Sequence, residues 1–160
     1  KSSTMQYHET SNWGGSPTNP PLVAGQAVWL QSALTSAVPT EITVLGEVVS
    51  VITQSINIVT GFQMIAYPFS CDVSLQSMDF LADGATPNAK VGGADQIYVW
   101  KDGVYKQYGL KNDNLWHDIS DWGGSAVVTN IDLGQGFWYI SRNGTPWNWT
   151  ETNKYQQVFE

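Results

Sequence analysis

The sequence predicts an all-β protein with an antiparallel, β-sandwich-like fold and little helix, and three observations lead to this prediction. Short runs of β-branched and aromatic residues recur along the chain and are bounded by glycine, proline or asparagine. The pair Asp102-Gly103 joins two such runs, which is the pattern of a two-residue β-hairpin loop. Helical periodicity is confined to one segment, residues 72–82. Short strands separated by turn residues are typical of a sandwich.

The predicted elements follow in chain order. We expect strands over residues 27–31, 42–52, 63–69, 97–101, 104–108, 126–130 and 137–141. In the first arm of the hairpin, alternation places Ile97 and Val99 on one face of the sheet and Tyr98 and Trp100 on the other. In the helix predicted over residues 72–82, Asp72 would cap the first turn, and apolar side chains recur every third residue from Leu75.

The sequence contains an internal repeat. Residues 8–32 align without a gap to residues 117–141, and ten of the 25 positions are identical. We interpret residues 1–50 as the C-terminal half of a first repeat unit and residues 51–160 as a complete second unit, packed together as one globular body. The repeated side chains expected to form the scaffold of the two units are His8, Trp13, Trp29, His117, Trp122 and Trp138.

The first unit has no counterpart of residues 53–114, and two explanations are open. Either a divergent first half was lost with a leader or never existed upstream, or a neighbouring subunit completes the open half-unit by adding strands to its sheet. The chain begins at Lys1 without an initiator methionine or a signal peptide, which favours a processed chain whose leader has been removed. The low charge and the many Thr, Asn, Trp and Gly residues are typical of an exported β-protein, so we expect this protein to be secreted and to be extracellular or at the cell surface.

Charge and hydropathy exclude some partners. The formal net charge is −7 and Arg142 is the single arginine, which argues against nucleic acid and anionic lipid, since both are bound by clustered Lys and Arg. The most apolar stretch, residues 44–69, is interrupted by Glu47, Asn57 and other polar residues, so we expect no membrane insertion. The single cysteine, Cys71, is interpreted as a small buried side chain.

No motif predicts catalysis, and we expect neither an enzyme nor a required cofactor. The glutamates before the terminal residue lie outside any recognisable acid/base motif of a glycosidase: Glu9, Glu41, Glu47 and Glu151. His8 and His117 occupy equivalent repeat positions, so each is expected to bond within its own unit. Oxygen ligands for Ca²⁺ could come from Asn112, Asp113, Asn114, Asp118 and Asp121, although the spacing of a calcium-binding loop is absent.

Aromatic side chains are the remaining candidates for a site. A possible ligand or subunit contact is predicted for Tyr98, Trp100, Tyr105, Tyr108, Trp147 and Trp149. Exposed rings on a β-face stack on the C–H surfaces of sugars, and the same residue types are enriched at subunit contacts. Two sequons, at Asn143 and Asn148, fall in a Gly/Pro segment that we expect to be exposed.

Three short motifs, at residues 61–69, 95–100 and 134–139, occur in the order of a Gly-Phe strand ending in proline, a Tyr/Trp hairpin and a Gly-x-Gly-Phe-Trp strand. In this order the chain resembles uncharacterised secreted proteins of planctomycete, verrucomicrobial and lentisphaeral bacteria. The resemblance covers roughly residues 61–141 and implies export and a β-fold, with no functional residue to carry over.

Two functional hypotheses follow. The first is a secreted, non-enzymatic structural protein that self-assembles through β-strand and aromatic contacts into a filament or surface layer, with copies of itself as partners. The second is a carbohydrate-binding module that uses an aromatic β-face to bind glycans.

Overall fold

The computed structural model describes Ser16, residues 22–29 and residues 51–153. Residues 22–29 are called the arm below, and residues 51–153 the body. The predicted strand over residues 42–52 lies almost wholly outside the described residues, as do His8 and Trp13.

Nine strands make up most of the regular structure of the body. They are β1 (Thr53–Ile58), β2 (Gly61–Ala66), β3 (Val73–Ser74), β4 (Gln96–Lys101), β5 (Val104–Leu110), β6 (Trp116–Asp118), β7 (Asn130–Ile131), β8 (Gly136–Ser141) and β9 (Trp147–Thr152). One short helix, α1 (Phe80–Asp83), and three 3₁₀ turns, Leu75–Ser77, Val91–Gly93 and Ile119–Asp121, complete the described elements. The all-β prediction is confirmed.

The main sheet has five antiparallel strands in the order β2-β8-β4-β5-β6. The β4–β5 hairpin turns at Asp102 and Gly103, whose φ angles are +53° and +78°. Positive φ at both central residues is what a type I′ turn requires, so the Asp-Gly prediction is confirmed. Alternation in β4 is confirmed as well, because Ile97 and Val99 are fully buried whereas Trp100 is exposed.

A second layer packs on the inner face of this sheet. Strands β1 and β9 form a two-stranded antiparallel ribbon, and α1 contacts β9. Phe80 of α1 lies between the layers, stacked on Tyr139 of the sheet with ring centroids 4.7 Å apart and on Trp149 of the ribbon at 4.1 Å. All three side chains are fully buried, so aromatic stacking joins the two layers.

The single long helix predicted over residues 72–82 is wrong. The segment forms the 3₁₀ turn Leu75–Ser77 and then the four-residue α1, with Met78 extended between them. Gln76 explains the interruption, because its side chain accepts a hydrogen bond from the Trp116 N–H and donates to the Trp116 and Val127 carbonyls, which holds the first turn against β6. Asp72 does not cap a helix and instead accepts a hydrogen bond from the Leu133 N–H.

Other strand boundaries also differ from the prediction. The run at residues 126–130 contributes an isolated bridge from Ala126 to His117 and the start of the two-residue β7. Strand β9 occupies residues that the Gly/Pro pattern had assigned to an exposed loop. No helix of the described residues has the length and apolarity to span a membrane.

Candidate functional site

The outer side of the five-stranded sheet, opposite the core, is aromatic. Its rings come from four neighbouring strands: Phe62 of β2, Trp138 of β8, Tyr98 and Trp100 of β4, and Tyr105 of β5. The register places them on one side, because Tyr98 pairs with Trp138 and Trp100 pairs with Tyr105, whereas Phe137 and Tyr139 face inward. We call these five rings the outer aromatic face.

These rings are accessible to solvent to different degrees. Phe62 is 61% exposed, Trp100 44% and Tyr105 37%. Tyr98 and Trp138 are half-buried between them. Phe62, Tyr98, Tyr105 and Trp138 line a shallow depression of about 400 Å³. Exposed large aromatic side chains that adjoin one another are a feature of contact surfaces.

The rings do not lie in one plane. Phe62 meets Tyr98 at an interplanar angle of 82° and Trp138 at 73°, and Trp100 meets Tyr105 at 71°. Edge-to-face packing of this kind stabilises the rings against one another. It produces a corrugated surface with ridges and hollows rather than the flat row of coplanar rings on which a sugar chain would stack.

Polar tips of the face are engaged within the protein. The Tyr98 hydroxyl donates to Gln96 Oε1 at 3.0 Å, and Trp138 Nε1 donates to the Tyr105 hydroxyl at 3.4 Å. Gln96 Nε2 in turn donates to the Val91 carbonyl. The register places no Asp, Glu, Lys or Arg at the outward-facing positions of β2, β8, β4 and β5. The surface is therefore suited to contacts with apolar side chains.

The arm crosses one end of this face. Gly25 accepts a hydrogen bond from the Ala66 N–H at 2.9 Å, and Gln26 forms an antiparallel bridge with Ile65, so the arm adds to the free edge of β2. Trp29 then reaches Trp100 and Tyr105, with ring centroids 6.0 and 6.3 Å away. Trp29 itself remains 54% exposed, so it extends the outer aromatic face rather than covering it.

The arm begins with a turn that has a counterpart in the body. In residues 23–26 the Gln26 N–H donates to the Val23 carbonyl, and the Val23 N–H donates to Gln26 Oε1. In residues 132–135 the same two hydrogen bonds join Asp132 and Gln135. The glycine before each glutamine has a positive φ, +83° at Gly25 and +72° at Gly134. These two turns lie at equivalent positions of the sequence repeat.

Three of the six predicted contact residues lie elsewhere. Tyr108 is buried because it is three positions after Tyr105 in β5 and therefore points to the opposite side of the sheet. Trp149 is fully buried, and Trp147 is half-buried between Phe80 and Tyr139. The prediction of a surface contact is corrected for Tyr108 and Trp149, which are buried. Trp147 lies away from the outer aromatic face, and Tyr98, Trp100 and Tyr105 lie on it.

The predicted scaffold tryptophans that the structure describes lie in two different environments. Trp122 packs over Gly109, where its ring lies 2.7 Å from the position of a Cβ, and its Nε1 donates to the Ala89 carbonyl. Trp138 and Trp29, however, lie on the outer face and not in a core. Trp29, Trp138 and Phe62 are not among the contact residues predicted from the sequence. Alternation around the buried Phe137 and Tyr139 is the signal that could have identified Trp138.

His117 is buried and has an acceptor at each ring nitrogen. Nδ1 lies 3.1 Å from the Gly124 carbonyl, and Nε2 lies 2.9 Å from Asp113 Oδ2. Both partners lie within residues 51–160, the second unit predicted from the sequence. Asp118 accepts hydrogen bonds from the hydroxyl and N–H of Ser120, which lower the pKa of its carboxyl. In the part of the chain that the structure describes, no three His, Cys, Asp or Glu side chains form a group that could hold a metal ion.

Two carboxylates are buried in the body. Asp95 accepts hydrogen bonds from the Tyr139 hydroxyl at 2.6 Å and from the Arg142 N–H at 2.5 Å. Burial raises the pKa of Asp95, although these donors oppose the shift, and burial together with Asp95 raises the pKa of Tyr139. Glu151 Oε1 accepts from the Asp79 N–H and from Trp149 Nε1. Both carboxylates brace neighbouring segments of the fold.

The sequons lie apart from the aromatic face. Asn143 Nδ2 donates to the Gly84 carbonyl, and Asn148 is exposed on β9 opposite Asn57.

The chain was compared with protein-family models, with curated proteins and with solved structures. It matches no family model, no curated protein and no solved structure.

Proposed function

We propose that this is a secreted, non-enzymatic structural protein that self-associates through the outer aromatic face. The observation that carries the proposal is the exposure of adjoining rings, Phe62, Trp100 and Tyr105, on a sheet face without carboxylate, lysine or arginine. A second copy that covers these rings would remove apolar surface from water at little cost in desolvated charge.

The occupant we infer is a second copy of this chain, because a segment of the same chain already packs against one end of the face. Trp29 of the arm packs on Trp100 and Tyr105, and Trp29 is the repeat counterpart of Trp138, which lies within the face. The low charge of the whole chain, 13% of residues, favours the same interpretation.

Ring geometry and polar pairing favour this occupant over a glycan. A sugar requires flat ring faces together with hydrogen-bond partners for its hydroxyls. Neighbouring rings here meet at 71–82°, and the tips of Tyr98 and Trp138 bond within the protein. Apolar side chains of a partner, in contrast, can fill hollows between tilted rings.

Analytical ultracentrifugation over a range of concentrations, with negative-stain electron microscopy of the concentrated samples, tests the proposal. We expect the wild type to form assemblies, and Phe62→Ser to stay monomeric at the concentrations at which the wild type first assembles. Removing a central aromatic anchor costs about 2 kcal/mol per interface, which raises the concentration needed for assembly about 30-fold.

Leu133→Ser is the matched control, because Leu133 is also 61% exposed but lies outside the face. It should assemble as the wild type does. A wild type that stays monomeric at the highest soluble concentration would overturn the proposal, as would equal effects of the two substitutions. Binding to a broad glycan array that is lost in Trp100→Ala would assign the face to sugars instead.

A further inference from the structure

We propose that the arm, residues 22–29, is exchanged between copies, so that the arm of one molecule docks on the β2 edge of the next. This inference rests on the proposed self-association and names the segment that links the copies. The contact joins two different surfaces, an arm and an edge. Contacts of this head-to-tail kind extend into open chains when the rotation between copies does not close a ring.

The arm is built to dock as a unit. Its turn is closed by two hydrogen bonds between Val23 and Gln26, neither of which involves the body. A segment that is already ordered loses less conformational entropy when it binds. The arm can therefore keep the same shape whether it meets the edge of its own body or that of a neighbour.

The docking site of the arm on the body, at the free edge of β2, is equally well defined. The Ala66 N–H of β2 points away from β8 and donates to Gly25. Gly25 is buried against Ile56, where a Cβ would lie 2.2 Å from Cδ1, and Ala27 lies close to Gly136. An unpaired stretch at a sheet edge is a template for a strand of another chain, and here the arm supplies the pairing.

Chain length permits exchange. The 23 residues 30–52 separate Trp29 from the start of β1, and a chain of this length can extend to about 80 Å. A body of about 100 residues has a radius of gyration of about 13 Å. The arm can thus reach the β2 edge of an adjacent molecule.

Within one molecule the same tether presents the arm to its own edge at an effective concentration of the order of 1 mM. Exchange therefore becomes favourable in concentrated protein, or where contacts between outer aromatic faces add to it. Docking of the arm on its own body competes with docking on a neighbour. Two complementary substitutions remove docking within a molecule, so that only the contact between copies remains.

Gly25→Val disables the arm, because any side chain at this position clashes with Ile56 and the φ of +83° disfavours a β-branched residue. Ala66→Pro disables the edge, because it removes the one N–H that donates to the arm, and proline is tolerated on the free side of an edge strand. Should Ala66→Pro fail to fold, Gly136→Val is a second edge variant, since its side chain would occupy the place of Ala27.

In the test, each variant is measured alone and in an equimolar mixture by light scattering after size-exclusion chromatography. Both variants also carry Phe62→Ser, which removes contacts through the outer aromatic face. Neither variant then has both a working arm and a working edge, so each alone should stay at the monomer mass of 17.6 kDa. In the mixture the free arm of Ala66→Pro can bind the free edge of Gly25→Val, and we expect a 1:1 complex of twice that mass. Gly134→Val is the control for strain, because Gly134 has a positive φ but no atom within 4 Å of a Cβ.

Two monomers in the mixture would overturn arm exchange, as would assembly of either variant alone, which would show that the arm and the edge are not both needed. In either case self-association through the aromatic face, which Phe62→Ser removes from these variants, would still stand. A 1:1 complex from the mixture, together with a wild type that never assembles, would support the exchange contact and contradict the proposed function.

Discussion

Replacing Phe80 by alanine should remove the aromatic stack that joins the ribbon to the main sheet. Phe80 is fully buried, and its two ring faces are covered by Tyr139 and Trp149 at interplanar angles of 19° and 21°. Trp116, Phe137 and Trp147 meet its edges at centroid distances of 6.0 to 6.4 Å. Phe80 thus contacts rings on every side.

The expected loss of unfolding free energy lies at the upper end of the range for this type of substitution. Truncating a buried phenylalanine to alanine costs about 3 to 5 kcal/mol, depending on how far the surroundings can collapse. Both stacking partners are themselves fully buried, so neither can move into the space without losing its own contacts. We expect about 4 to 5 kcal/mol, a large fraction of the 5 to 15 kcal/mol typical of a domain.

Urea unfolding followed by circular dichroism measures this loss. Phe80→Leu keeps most of the apolar volume but not the stacking, and it should cost about 1.5 kcal/mol. Leu81→Ala is the control, because Leu81 is the next residue of α1 and is exposed; it should cost less than about 1 kcal/mol. If Phe80→Ala fell within 1 kcal/mol of Leu81→Ala, Phe80 would not be the element that joins the layers.

Three further predictions concern single side chains. Asp95→Ala should destabilise the body by about 2 kcal/mol, because it leaves the Tyr139 hydroxyl and the Arg142 N–H without their acceptor; urea unfolding at neutral pH measures it. Burial raises the pKa of Asp95, so ionisation of this carboxyl is less favourable in the folded than in the unfolded protein. The stability of the wild type should therefore fall as the pH rises above about 3.9, the ordinary pKa of an aspartate, until Asp95 is fully ionised in the folded protein. Stability measured against pH should lack this slope in Asp95→Ala, and an identical slope in both proteins would show that another group carries it. Ser120→Ala should raise the pKa of Asp118 towards its ordinary value, though not fully, since the Ser120 N–H still donates; NMR titration would detect this, and an unchanged pKa would contradict it. Gly103→Ala should cost about 1 kcal/mol in thermal unfolding because φ is +78°, whereas Asp102→Asn should be nearly neutral, and equal costs would argue against the type I′ turn.

The hairpin was predictable from the sequence because its determinants are local. Asp102-Gly103 fixes the turn, and the turn fixes the pairing of Trp100 with Tyr105. Alternation then places both rings on one side. The same rule applied to Tyr108 would have placed that ring inside, since it lies an odd number of residues from Tyr105.

Other parts of the site depend on partners that are distant in the chain. Strand β9 pairs with β1, about 90 residues earlier, and this pairing turns Trp149 inward onto Phe80. Nothing local distinguishes Trp147 and Trp149 from exposed loop tryptophans. Phe62 became part of the outer aromatic face only because β8 lies between β2 and β4, and an order of strands is not encoded by any single segment.

The two aromatic clusters of the body differ in ways that bear on function. Inside, Phe80, Tyr139 and Trp149 stack nearly parallel and exclude water, and they join the two layers into a rigid support. Outside, Phe62, Trp100 and Trp138 tilt against their neighbours and leave hollows open to solvent. Phe80→Ala and Phe62→Ser therefore make a matched pair. The first should lower the unfolding free energy and leave assembly of the still-folded protein intact. The second should raise the concentration needed for assembly about 30-fold with little loss of stability. A large loss of stability in Phe62→Ser would mean that the outer face is part of the folding core, and its assignment as a contact surface would fail.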